Sequence, residues 1–164
     1  MCILLMLAGH ETTTNIIGNG LLALLQNRHQ LERLHADSGM IETAVEEFLR
    51  YESPIQSAAR IAMEDIEIDG QRIDKGQRVT LMLGAANRDR ERFSNPDRLD
   101  ITREDNRHLS FGFGPHFCLG SALAAWRDRS SSAPSCSAGP ACSLPETSLS
   151  GSTILRSASL YPCL

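Results

Sequence analysis

No two of the five cysteines in this 164-residue chain stand at Cys-x-x-Cys spacing, so neither a disulfide framework nor a closed zinc site is expected. The opening run from Met1 to Ala8 is apolar, but it has no basic residues before it and is ended by His10 and Glu11. It is therefore expected to be neither a secretory leader nor a bilayer span. A surplus of positive charge is also missing. The net charge is −4, which gives no electrostatic footprint for nucleic acid, and with 41% hydrophobic residues it suits a soluble, cytoplasmic globular domain with no membrane attachment.

Helical periodicity is present and uneven. From Cys2 to about Gln26 the apolar residues Ile3, Leu4, Leu5, Leu7, Ile16, Ile17, Leu21, Leu22, Leu24 and Leu25 cover more than one helical face. This predicts a long helix buried on several sides, weakened locally by Gly9, Gly18 and Gly20. A short amphipathic stretch around Leu31 to His35 follows. Ile41, Ala44, Val45, Phe48 and Leu49 then fall at i, i+3, i+4, i+7 and i+8, the cleanest helix signal in the chain. Pro54 ends it. Ile66 to Ile68, the turn pair Asp69-Gly70 and Arg72-Ile73 predict a hairpin, and Arg78 to Leu83 a further strand. Asn87 to Asp105 is charged and weakly periodic, and is expected to be irregular and largely exposed. After Ala125 the segment from Ser130 to Pro140 has almost no large apolar residues and reads as a disordered linker, with strand-like sequence returning at Gly151 to Arg156.

Chemistry concentrates in Phe111 to Gly120, where one cysteine, Cys118, follows a glycine-spaced turn. Gly112, Gly114 and Gly120 permit close approach to a ligand, and Pro115 stiffens the loop. Leu119, Ala122 and Leu123 suggest a helix starting just after the cysteine. A helix N-terminus favours thiolate over thiol, the form that binds metal. Taken alone, a loop cysteine is more often a buried free thiol. The spacing Phe111, Gly114, Cys118, Gly120, however, resembles the haem-binding loop of the cytochrome P450 family, Phe-x-x-Gly-x-x-x-Cys-x-Gly. With His116 it is similar to the soluble bacterial branch.

That resemblance implies a mainly α fold with small antiparallel β elements: the haem-proximal part of the family fold, incomplete. Residues 1–125 would form the partial domain, 126–143 an aberrant Ser/Pro/Gly-rich segment and 144–164 a family-like tail. A pair of compensating frameshifts around Trp126 to Ser143 would account for similarity lost and regained. The cofactor implied is haem b with Cys118 as the iron's thiolate ligand, which favours O–O cleavage. Phe111, Gly112, Gly120 and Gly9 would lie against it, and Arg60 and His116 would pair with its propionates.

Ala8-Gly9-His10-Glu11-Thr12-Thr13 resembles the family's oxygen-side motif, implying that Glu11 and Thr12 are catalytic in proton delivery. Without the resemblance it is a helix-interior glycine beside ordinary polar residues. Glu47-Phe48-Leu49-Arg50 matches the family's Glu-x-x-Arg. On the helix wheel it would be a solvated pair, but the resemblance implies a buried cluster with Arg98 as its second arginine. Leu4, Ala8, Ile55, Gln56 and Ser57 correspond to substrate-facing positions. The activity implied is oxygen insertion into a small organic substrate, with electrons from NAD(P)H through a ferredoxin or flavoprotein reductase. The rival expectation is a non-catalytic fragment or gene relic; a third is a haem-binding module without oxygenase activity.

Overall fold

The computed structural model describes residues 2–124, so the expectations for the Ser130 to Pro140 linker, the 126–143 segment and the 144–164 tail lie outside the described residues. Helix α1 spans Cys2–Gln26, α2 Arg28–Ala36 and α3 Ile41–Tyr51, with a 3₁₀ turn at Ser38–Met40 between the last two. Asn27 separates α1 from α2: its amide and its side chain both donate to the Ala23 carbonyl. Asp37 ends α2 and accepts the Gly39 amide, turning the chain into α3.

The predicted stripe of α3 forms the centre of the core. Ala44, Val45, Phe48 and Leu49 are buried against Ile16, Ala23 and Leu24 of α1 and Leu34 of α2. Gly20 permits this approach, since a Cβ there would stand 2.8 Å from Phe48 Cδ2. The expectation that α1 is buried on several sides is not met: its C-terminal half buries one face, through Ile16, Gly20, Ala23 and Leu24, and leaves Leu21 exposed. Ile3, Leu4, Leu5, Met6 and Leu7 are 50–75% exposed, because no described element packs over the N-terminal end.

Four short strands make two separate two-stranded antiparallel sheets. Strand β1 (Ala58–Ile61) pairs with β4 (Arg78–Leu81), placing Arg60 opposite Val79. Strands β2 (Ile66–Ile68) and β3 (Gln71–Ile73) form the predicted hairpin, and Asp69 and Gly70 both adopt positive φ, 50° and 74°, as a two-residue primed turn requires. The strand expected over Arg78 to Leu83 stops at Leu81, and the short helix α4 (Leu83–Ala86) follows.

From Asn87 to Asp105 the chain is irregular and more exposed than not, as expected, but it also sends single side chains into the core. Asn87, Phe93, Leu99 and Ile101 are fully buried or nearly so. Leu99 and Ile101 belong to the helical core, and the buried Gln30 of α2 accepts the Ile101 amide through Oε1. The segment inserts single side chains at irregular intervals, so it has no periodicity by which its burial could be recognised.

Candidate functional site

The best-built part of the molecule is an ion cluster on α3. Arg50 Nε and Nη2 donate to the two oxygens of Glu47 at 2.8 and 2.9 Å, a bidentate pair with both side chains fully buried. The remaining Arg50 nitrogen, Nη1, donates to the carbonyls of Asn87 and Pro96, both at 2.9 Å. Glu47 also accepts from Arg103 Nε at 3.1 Å, from Asn106 Nδ2 and from the Asp100 amide. The predicted cluster thus exists, with a correction: its second arginine is Arg103. Arg98 is exposed and makes no ion pair with Glu47. Asn95, at φ 47°, turns the chain just before Arg98, which leaves that side chain outside.

Buried charge survives here because it is paired and its lone pairs are occupied, the condition under which desolvation is offset. Beside the cluster, Asn106 Oδ1 is buried without a protein partner. The neighbouring cleft of about 270 Å³, lined by Glu42, Thr43, Glu46, Arg103 and Glu104, has room for water. Asp100 is held below the usual carboxylate range: burial opposes this, but hydrogen bonds from the Thr102 hydroxyl and amide and the nearby charges of Arg103 and Arg33 outweigh it.

The cluster holds the segment that leads into the cysteine loop. Asn87 accepts the Leu109 amide at 2.7 Å and donates to Ser110 Oγ at 2.9 Å, and Ser110 Oγ donates to the Leu49 carbonyl of α3. Residues 109 and 110 are therefore tied to α3. The loop then closes on itself: Gly112 and Gly114 take positive φ, 75° and 73°, conformations that a side chain would strain. A 3₁₀ turn spans Gly114–His116, and the Cys118 amide donates to the Phe111 carbonyl at 3.0 Å. The Phe111 and Phe117 rings meet edge-on, with centroids 6.3 Å apart. Cys118 is a free, exposed thiol, and helical backbone begins at Ser121, just beyond it.

The other predicted residues lie on open surface. Thr12 Oγ1 donates to the Ala8 carbonyl at 2.6 Å, one turn back in α1, which leaves the hydroxyl oxygen free to accept. Glu11, Ala8 and Leu4 are exposed, and a Cβ on Gly9 would meet nothing within 4 Å. Arg60 is exposed and donates to the Ala59 carbonyl of its own strand. His116 is exposed in the 3₁₀ turn. Ile55 and Ser57 are exposed, whereas Gln56 folds back to donate to Ser53 O at 2.7 Å. Among the described residues no hydrogen bond or ion pair joins Cys118, Thr12 and Arg60.

These residues fit a large flat apolar ligand bearing two carboxylates and a soft metal. A single accessible sulfur can ligate the metal, Phe113, Phe117 and Leu119 expose apolar surface in the same loop, and Arg60 and His116 supply N–H donors. Among the described residues no group of three or more His, Cys, Asp or Glu side chains is placed to hold a metal ion. Nor is any described helix long and apolar enough to cross a membrane.

Two kinds of residue went unrecognised in the sequence. Arg103 looks no different from Arg88, Arg90, Arg92 and Arg98 in the same charged stretch. Asn87, at the boundary of a helix and a loop, had no signal except its proximity to Arg88 and Asp89.

Comparison with known proteins agrees with this geometry. The profile described as Cytochrome P450 matches residues 1–127. The biotin biosynthesis cytochrome P450 of Bacillus subtilis is 60% identical over 123 residues, which are 75% of this chain and 31% of that protein. The crystal structure of P450BioI in complex with an acyl carrier protein ligated to hexadec-9Z-enoic acid superposes with a TM-score of 0.77 at 57% identity, over 79% of this chain and 34% of that one. The ligand-free P450 monooxygenase TamI gives 0.85 at 44% identity, over 88% of this chain and 36% of the other. The chain thus spans about a third of the length of the relatives it matches.

Proposed function

Because the chain belongs to the cytochrome P450 family, we propose that it carries the thiolate side of a haem monooxygenase, with Cys118 as the residue that would hold the iron. The observation that carries this reading is the exposed Cys118 sulfur on a loop closed by its own amide and tied through Ser110 and Asn87 to α3. When bound, the haem supplies the redox chemistry by which one atom of O₂ enters an organic substrate.

The chain's own residues have distinct parts in that chemistry. Cys118 provides the sulfur, and the positive-φ glycines keep side chains out of the turn that presents it. Arg60 and His116 bind carboxylates. Thr12, its proton committed to the Ala8 carbonyl, can hold a water by accepting its hydrogen bond at Oγ1, and Glu11 one position earlier would relay a proton from solvent to that water. Leu4, Ala8, Ile55 and Ser57 line the substrate side, while Gln56 supports the turn from within. Electrons come from NAD(P)H through a ferredoxin or flavoprotein reductase, and the substrate is a small organic molecule.

A second reading, that this chain by itself binds haem poorly and turns nothing over, is favoured by one specific observation. The apolar face from Ile3 to Leu7 is uncovered, and a substrate pocket must exclude water. One experiment bears on both. The chain is reconstituted with haem, reduced and exposed to carbon monoxide, in wild type and Cys118→Ala. The expected result is a thiolate-type spectrum in wild type that is lost in the variant. The same spectrum in both would remove Cys118 as ligand, and haem-free wild type would favour the second reading.

A further inference from the structure

The ring of His108 lies in the turn that feeds the cysteine loop, and its side chain is only 4% exposed. Nothing in the chemistry above uses it. Its Nδ1 stands 3.2 Å from the Ser110 amide nitrogen, which can only donate. Nδ1 is therefore an acceptor without a proton, and the ring proton belongs to Nε2. Nε2 lies 3.0 Å from Glu46 Oε2 on α3 and donates to it. The two ends of the ring thus make hydrogen bonds of opposite sense, one to the loop and one to the helix.

The ring also packs on Phe111, with centroids 5.9 Å apart and planes inclined at 51°. Phe111 is the residue whose carbonyl accepts the Cys118 amide and whose ring meets Phe117. We infer that His108, held as the Nε2–H tautomer by Glu46, is a positioning residue for Cys118, setting the orientation of Phe111 and through it the direction in which the loop presents its sulfur. A ligand's geometry is set by the groups that hold it, and a displacement of about 1 Å is enough to impair a site. Ser110 is tied independently through Asn87 and Leu49, so loss of the imidazole should tilt the loop without detaching it. The consequence at the sulfur rests on the haem-thiolate reading; the hydrogen bonds do not.

The test uses the full chain labelled with ¹⁵N. Imidazole spectra should show Nε2 protonated and Nδ1 bare. His108→Phe keeps a ring against Phe111 and removes both polar bonds, and should speed amide exchange at Ser110 and Cys118 by about 10-fold, the worth of one ordinary hydrogen bond. His108→Asn restores an acceptor for the Ser110 amide and should rescue that position. Glu46→Ala, at a side chain 41% exposed and so safe for folding, should speed Cys118 exchange while the melting temperature holds. With haem and carbon monoxide, His108→Phe should still bind haem but lose part of the thiolate-type band. A ring protonated at Nδ1 would overturn the proposal, as would Cys118 exchange unchanged in both His108→Phe and Glu46→Ala. If wild type binds no haem, the haem-thiolate reading fails, while tautomer and exchange still decide the role of His108.

Discussion

The two ends of α1 are similarly apolar and oppositely placed. Ile16, Ala23 and Leu24 are each 3% exposed, whereas Ile3 to Leu7 stand open. The difference lies in sequence distance. The C-terminal half meets α2 and α3, which follow it directly, so short connections bring covering surface at once. No described element reaches the N-terminal half. Phe113, Phe117 and Leu119 of the cysteine loop share that condition.

The comparison breaks most sharply at Glu47. Its carboxylate accepts from Arg50, Arg103, Asn106 and the Asp100 amide, so Glu47→Gln puts an amide donor against buried guanidinium groups. The expected loss is about 3–5 kcal/mol, measured by urea unfolding. An unchanged midpoint would mean that the pair is solvated in solution.

Next in size is Gly20→Ala, which drives a methyl group toward the enclosed ring of Phe48. Strain of about 1–3 kcal/mol should outweigh the gain in helix propensity of about 1 kcal/mol, lowering the melting temperature by several degrees. The equivalent Gly9→Ala has open space and should raise helix stability instead.

A smaller effect concerns pH. Asp100 has a lowered folded-state value, so its contribution is complete above the ordinary carboxylate range and disappears as pH falls through the lowered value. Unfolding measured from about pH 5 to pH 2 should fall less steeply in Asp100→Asn than in wild type.

Smallest of all is Leu5→Ser on the open face, expected to change folding stability by no more than about 0.5 kcal/mol while raising solubility. A loss as large as that of a core leucine would show that this face is covered in solution.

Local signals made part of this legible. The i, i+3, i+4 stripe of α3, the Asp69-Gly70 turn and the glycine spacing around Cys118 each encode a backbone requirement within a few residues. Glu47 and Arg50 share a helix, so their spacing alone allows a pair. Arg103 could not be told from Arg98, because the choice depends on where the chain turns at Asn95, with its φ of 47°. Asn87 was equally silent, since its side chain is defined by partners 22 or more residues away, and so was His108, whose Nε2 partner Glu46 lies 62 residues away.

The sequence alone therefore determined α1, α3, the β2–β3 hairpin, the family loop and the chemistry of its donors, because helix period, turn glycines and motif spacing are properties of neighbouring residues. Tertiary structure decided which charges are buried, which arginine completes the cluster and which half of α1 is covered. Those depend on desolvation and on satisfying each buried polar atom, and both are settled only when distant segments meet.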